Sequence, residues 1–81
     1  MIPVHWDPPA IADMRRLDTP TARRIHAAVN RYAATGTGDA KPLRDAGGVW
    51  RLRCGDWRVR FIRRAGALHL LAVDHRSQAY R

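Results

Sequence analysis

Four arginines carry the clearest chemistry in this sequence. Arg51, Arg53, Arg58 and Arg60 stand at alternate positions on either side of the dipeptide Gly55-Asp56. A two-residue loop of this composition closes a β-hairpin. Counting outward from it pairs Cys54 with Trp57, Arg53 with Arg58, Leu52 with Val59, Arg51 with Arg60 and Trp50 with Phe61. Side chains alternate between the two faces of a strand. One face therefore collects Trp50, Leu52, Cys54, Trp57, Val59 and Phe61, and the other holds only arginines. Like charges directly opposite each other destabilise a sheet by up to about 1 kcal/mol per pair. Two such pairs side by side, with the acidic residues keeping off that face, have no basis in stability. A bound anion supplies one, because the guanidinium fork grips phosphate through two parallel hydrogen bonds. This outweighs the alternative of a merely solvated arginine face.

A second cluster lies at the C-terminal end. His75 and Tyr80 are side chains that could move a proton, the Tyr80 ring could stack on a base, and Arg76 could offset charge on a phosphorus centre. A strand-end histidine bonded to backbone, or a tyrosine that pins the tail, would be the structural alternatives. Upstream, Lys41-Pro42-Leu43-Arg44 is a basic segment with one apolar anchor. His5, His26, His69 and His75 lack the spacing of metal ligands, and Cys54 is the single cysteine. No glycine motif cradles a nucleotide, and no cofactor is indicated.

These residues sit in a chain of 81 residues, sufficient for one domain over 1–81. Lys and Arg total 15 against 7 Asp and Glu, for a net charge of +8, and Lys41 is the only lysine. A field of that sign attracts polyanions: nucleic acid, an acidic membrane surface or an acidic protein. No apolar run approaches a membrane span, no signal peptide stands at the start, and a soluble cytoplasmic protein is expected. Ile2, Val4 and Trp6 alternate as a first strand. Asp7-Pro8 and Asp18-Thr19-Pro20 each read as a helix cap followed by an early proline. Ile11, Met14 and Leu17 mark the first helix, and Ala22, Ile25, Val29 and Tyr32 share a face of the second, which Gly36 ends. Residues 36–48 read as a loop. After the hairpin, Arg64-Ala65-Gly66 turns the chain into an interior strand, Ala67 to Asp74. The predicted fold is α+β, in the order β-α-α-β-β-β, with a helical hairpin on one face of a mainly antiparallel four-stranded sheet. Trp6, Ile25, Val29, Leu52, Val59 and Phe61 are the expected core.

The stretch Trp50 to Phe61, with its Gly-Asp-Trp-Arg turn, resembles the central hairpin of RelE/ParE toxins. His75-Arg76 with Tyr80-Arg81 is similar to the ending of mycobacterial-type members, and Lys41-Pro42-Leu43 to their basic-apolar loop. The resemblance runs over nearly the whole chain and its element order. It implies a RelE-like toxin that enters the ribosomal A site and cuts mRNA by attack of the RNA 2′-hydroxyl on the adjacent phosphate, without a metal. An acidic antitoxin would hold it silent. Carried over by position, Arg58, Arg76, His75 and Tyr80 become catalytic candidates, while Arg51, Arg53, Arg60, Lys41 and Arg44 hold the RNA phosphates. Relatives of the ParE type share the fold but poison DNA gyrase. A binding-only relative without the chemistry is the other alternative.

Overall fold

The computed structural model describes residues 1–44 and 46–78. Its elements run β1 (Val4–Trp6), α1 (Pro8–Arg15), α2 (Thr19–Thr35), β2 (Asp39–Pro42), β3 (Trp50–Cys54), β4 (Trp57–Arg64) and β5 (Ala67–His75). The sheet order is β1-β5-β4-β3-β2. Only β1 and β5 pair in parallel; every other neighbouring pair is antiparallel. This is the predicted α+β arrangement with one strand more than expected. The extra strand, β2, falls inside the segment read as a loop. Its sequence, Asp-Ala-Lys-Pro, has little intrinsic strand preference. Pairing with β3 makes it a strand, and its place at the sheet edge tolerates Pro42, which has no N–H to donate.

Proline at the first or second position and an aspartate before it open both helices, as expected. Only Asp18 caps through its side chain, which accepts from the Thr21 backbone N–H at 3.2 Å. Asp7 makes no such bond. Gly36 ends α2 in the left-handed conformation, its N–H bonded to the Tyr32 carbonyl. The short α1 departs from the predicted pattern. Ala10 is its buried residue, Ile11 is 38% exposed, and Leu17 lies past its end. Asp13 of α1 instead does structural work, accepting the Val73 N–H of β5 at 2.9 Å. β1 pairs only as far as Leu70, so Asp13 supplies the partner that β1 does not reach.

The hairpin register is the one counted from the sequence, from Cys54↔Trp57 through Trp50↔Phe61. Gly55 has a positive φ of 58°, and Asp56 does not, the pattern of a type II′ turn. Between Arg60 and Phe61 the β4–β5 pairing shifts, so that Arg60 faces Ala72 and Phe61 faces Leu70. Phe61, Ile25, Leu68, Leu70, Val29 and Val59 are the largest fully buried side chains. Each contributes roughly 1.5–3 kcal/mol by leaving water. Leu52 is buried with them, while Trp6 is half-buried and packs against the cluster. The core is a single layer between the helices and one face of the sheet.

Candidate functional site

The opposite face of the sheet is where the arginines converge. Across β2, β3, β4 and β5 one row reads Asp39, Arg53, Arg58, Asp74. The next reads Lys41, Arg51, Arg60, Ala72. The segment after β2 folds back beside these rows, its Leu43 N–H bonded to the Val49 carbonyl at 2.9 Å. The result is a trough of about 960 Å³ lined by Lys41, Pro42, Leu43, Arg44, Ala46, Val49, Arg51, Arg53, Arg58 and Arg60. Its described lining contributes six cations and no carboxylate. Every residue expected to hold phosphate, together with Arg58, borders this one hollow.

The four arginines differ in what holds them. Arg51 is only 8% exposed. Its Nη1 donates to the Asp39 carbonyl at 2.9 Å and to Asp39 Oδ1 at 3.2 Å. Arg60 Nε donates to Asp74 Oδ2 at 2.8 Å. Arg58 Nη1 meets only backbone carbonyls, those of Gly55 at 2.9 Å and Trp57 at 3.2 Å. Arg53 is exposed, and among the described residues neither it nor Arg58 has a carboxylate partner. The expectation that acidic residues keep off this face holds for the hairpin but not for the sheet. Asp39 and Asp74 come from the flanking strands, and each neutralises one arginine of the pair Arg51–Arg60. The uncompensated repulsion is concentrated at the facing pair Arg53 and Arg58. An anion that takes one guanidinium from each side relieves it, with charge-assisted hydrogen bonds in place of repulsion.

The C-terminal candidates are placed differently. His75 is in register with Trp57, on the parity of Val59 and not of Arg58. Its ring meets Trp57 edge-on with centroids 5.1 Å apart, and its Nδ1 lies 2.9 Å from Ser77 Oγ. It is therefore turned to the helix-facing side, away from the trough. Arg76 stands at the hairpin turn, its N–H on the Asp56 carbonyl at 2.7 Å and its Nε 3.9 Å from Asp56 Oδ1. That pair is exposed on both sides, so it holds Arg76 only loosely. Arg58, on β4, and Arg76, in the turn after β5, thus reach the same hairpin turn. Tyr80 lies outside the described residues. Cys54, on the apolar face of the hairpin, is half-buried against the core with its Sγ 3.7 Å from the Arg24 carbonyl. Among the described residues no three His, Cys, Asp or Glu come together as a metal site, and no helix is long and apolar enough to cross a membrane.

Sequence reasoning missed Asp39 and Asp74 as partners of the arginines. The register of β4 and β5 could have placed Asp74; nothing local marked Asp39, because its strand is visible only through its pairing. It also missed the stacked rings of His5 and His69, 5.1 Å apart on the open face.

Comparison with known proteins fits this geometry. The family model described as the ParE toxin of type II toxin–antitoxin systems, parDE, matches residues 4–80. Among solved structures, the RelBE2 toxin–antitoxin complex of Mycobacterium tuberculosis is similar at 27% identity and a TM-score of 0.65, over 93% of this chain and 98% of that one. The archaeal RelE–RelB complex of Pyrococcus horikoshii superposes with a TM-score of 0.78 at 19% identity, over 96% and 98% of the two chains. The RelB–RelE complex of Methanococcus jannaschii gives 0.77 at 15% identity, over 94% of each chain. No curated protein matches. With the family model spanning almost every residue, the chain belongs to the ParE toxin family of type II toxin–antitoxin systems, within the RelE/ParE group.

Proposed function

We propose that this toxin is a cytoplasmic endoribonuclease that cuts mRNA in the ribosomal A site without a metal. The observation that carries the reading is the trough, where six cations converge and neither member of the facing pair Arg53 and Arg58 forms an ion pair among the described residues. In the reaction the RNA 2′-oxygen attacks the adjacent phosphorus and loses its proton. The bond from phosphorus to the 5′-oxygen breaks, and that oxygen gains a proton. The products are a 2′,3′-cyclic phosphate and a 5′-hydroxyl end. Negative charge grows on the phosphoryl oxygens during the attack, and fixed guanidinium groups stabilise it most at that moment. Arg58 takes this role, its fork held in place by the Gly55 carbonyl, with Arg53 opposite and Arg76 beside the turn. Lys41, Arg44, Arg51 and Arg60 hold flanking phosphates or the walls that orient them. The proton is assigned to Tyr80 ahead of His75, because His75 is engaged with Trp57 on the far side.

A regulating partner follows from the same charge. The similar structures named above are toxin–antitoxin complexes, and this chain carries +8. Its antitoxin is an acidic protein that covers the basic trough. One observation favours a second reading: the matching family model bears the ParE name, and ParE-type relatives act on DNA gyrase. Inducing the chain in cells while mapping transcript ends and plasmid supercoiling separates the two. New 5′-hydroxyl mRNA ends support the ribonuclease; DNA breaks with blocked replication support the gyrase poison. Arg58→Ala is expected to abolish growth arrest and cleavage while leaving the protein folded, the relief of a facing like charge being set against the loss of its hydrogen bonds to the Gly55 and Trp57 carbonyls. A folded Arg58→Ala protein that cuts mRNA at the normal rate would sink the ribonuclease reading.

A further inference from the structure

The trough does not end at Arg53. Arg53 also lines a second hollow, of about 230 Å³, together with Ala28, Arg31, Thr37, Gly38, Leu52 and Cys54. This hollow lies between α2 and the end of β3, so the basic surface turns round the end of the sheet and continues on the helical side. Arg31 is exposed there and has no carboxylate partner among the described residues. A third hollow adjoins at Cys54 and holds Arg24, but it also holds the carboxylate of Asp56, which repels a polyanion. Of the cations that line these two hollows without an ion-pair partner among the described residues, Arg58, Arg53 and Arg31 form a run, and the run stops short of Asp56.

We infer that the substrate is bound as an extended single strand of several nucleotides that leaves the trough over Arg53 and places a phosphate on Arg31. The inference rests on the ribonucleic-acid reading of the trough and names the form of its substrate. The bend round the sheet end selects the single strand. A duplex resists sharp bending, with a persistence length of about 150 base pairs for DNA, whereas a single strand turns freely between successive phosphates. Arg31 acts on binding only and takes no part in the chemistry.

The test uses fluorescent 2′-O-methyl RNA, which cannot be cleaved, as a trinucleotide and a nonanucleotide, titrated over a range of salt. Wild-type protein should bind both, the longer one with the steeper salt dependence. Arg31→Ala should lower the log–log salt slope for the nonanucleotide by about 0.7, the increment for one phosphate contact on a single strand. It should leave the trinucleotide unchanged. Arg23→Ala removes the same charge from an exposed position on the same helix that borders none of these hollows, and should change neither. Equal effects of Arg31→Ala and Arg23→Ala, or an unchanged nonanucleotide slope in Arg31→Ala, would overturn the track while leaving the trough intact. Wild-type protein that binds neither oligonucleotide would overturn the track, while the ribonuclease reading stands or falls by the mapping of transcript ends.

Discussion

Arg51 and Arg53 stand two positions apart on one strand face, yet they answer different requirements. Arg51 is enclosed, and its guanidinium ties the edge strand β2 to the sheet through the Asp39 carbonyl and carboxylate. Arg53 projects into solvent opposite Arg58. Removing Arg51 takes away a buried stem and leaves a backbone carbonyl without its charged donor, a loss on the order of 1–3 kcal/mol. Removing Arg53 takes away a repulsive neighbour, and the change should stay within about 0.5 kcal/mol, as for other exposed positions. Urea denaturation of Arg51→Ala and Arg53→Ala should show this separation, with RNA binding weakened in both. Equal stability of the two variants would mean that Arg51 is as free as Arg53 and that β2 is held by its backbone alone. Sequence alternation placed both arginines on the correct face. It could not rank them, because the residue that distinguishes them, Asp39, arrives through tertiary pairing.

At the scale of elements, the legible parts were those with local punctuation. Gly55-Asp56 fixed the hairpin register, and Asp18-Thr19-Pro20 fixed the start of α2. Apolar parity told which hairpin face packs on the helices. Two features stayed hidden. β2 is a strand by pairing and not by composition, and His75 sits at the last register position of β5, where parity turns it onto Trp57. His75 is the last residue of β5 and Arg76 lies in the turn beyond it, so the strand end separates the two neighbours. The α2 cap gives an element-scale test. The Thr21 hydroxyl, and then the Thr21 N–H, hold the Asp18 carboxyl below its ordinary value of 3.8. A carboxylate depressed in the folded state adds stability that is complete above the unfolded value and lost as pH falls through the folded one. The stability difference between wild type and Asp18→Ala should therefore be full at neutral pH. It should shrink as the pH drops past 3.8 and vanish below the depressed value. Chemical denaturation at a series of pH values measures it, and a difference that persists unchanged at the acid end would show that the carboxylate charge is not what caps the helix.

For the whole molecule, the governing quantity is a charge of +8 held within a radius of gyration of 11.6 Å. Cations on the helical hairpin, Arg15, Arg16, Arg23, Arg24 and Arg31, add to those of the trough. The four ion pairs among the described residues use carboxylates already counted in that net charge, so the excess of +8 stands. Self-repulsion of this kind disfavours the compact state. Salt screens it over about 10 Å at 0.1 M, a length comparable to the domain itself. Raising the salt concentration should therefore raise the melting temperature of the free domain. The pairs Arg51–Asp39 and Arg60–Asp74 are partly enclosed and lose less to screening than the exposed charges gain. Affinity for RNA should move the opposite way, because each phosphate contact releases counterions and weakens as salt rises. An acidic antitoxin does locally what salt does diffusely, and binding to the folded state adds mass action to it. Thermal unfolding between 20 mM and 500 mM sodium chloride, paired with RNA titrations over the same range, should give two curves of opposite sign. A melting temperature that falls with salt would show that ion pairs outweigh repulsion in this fold. The charges would then stabilise the folded state on balance, and their excess would be no cost to the fold.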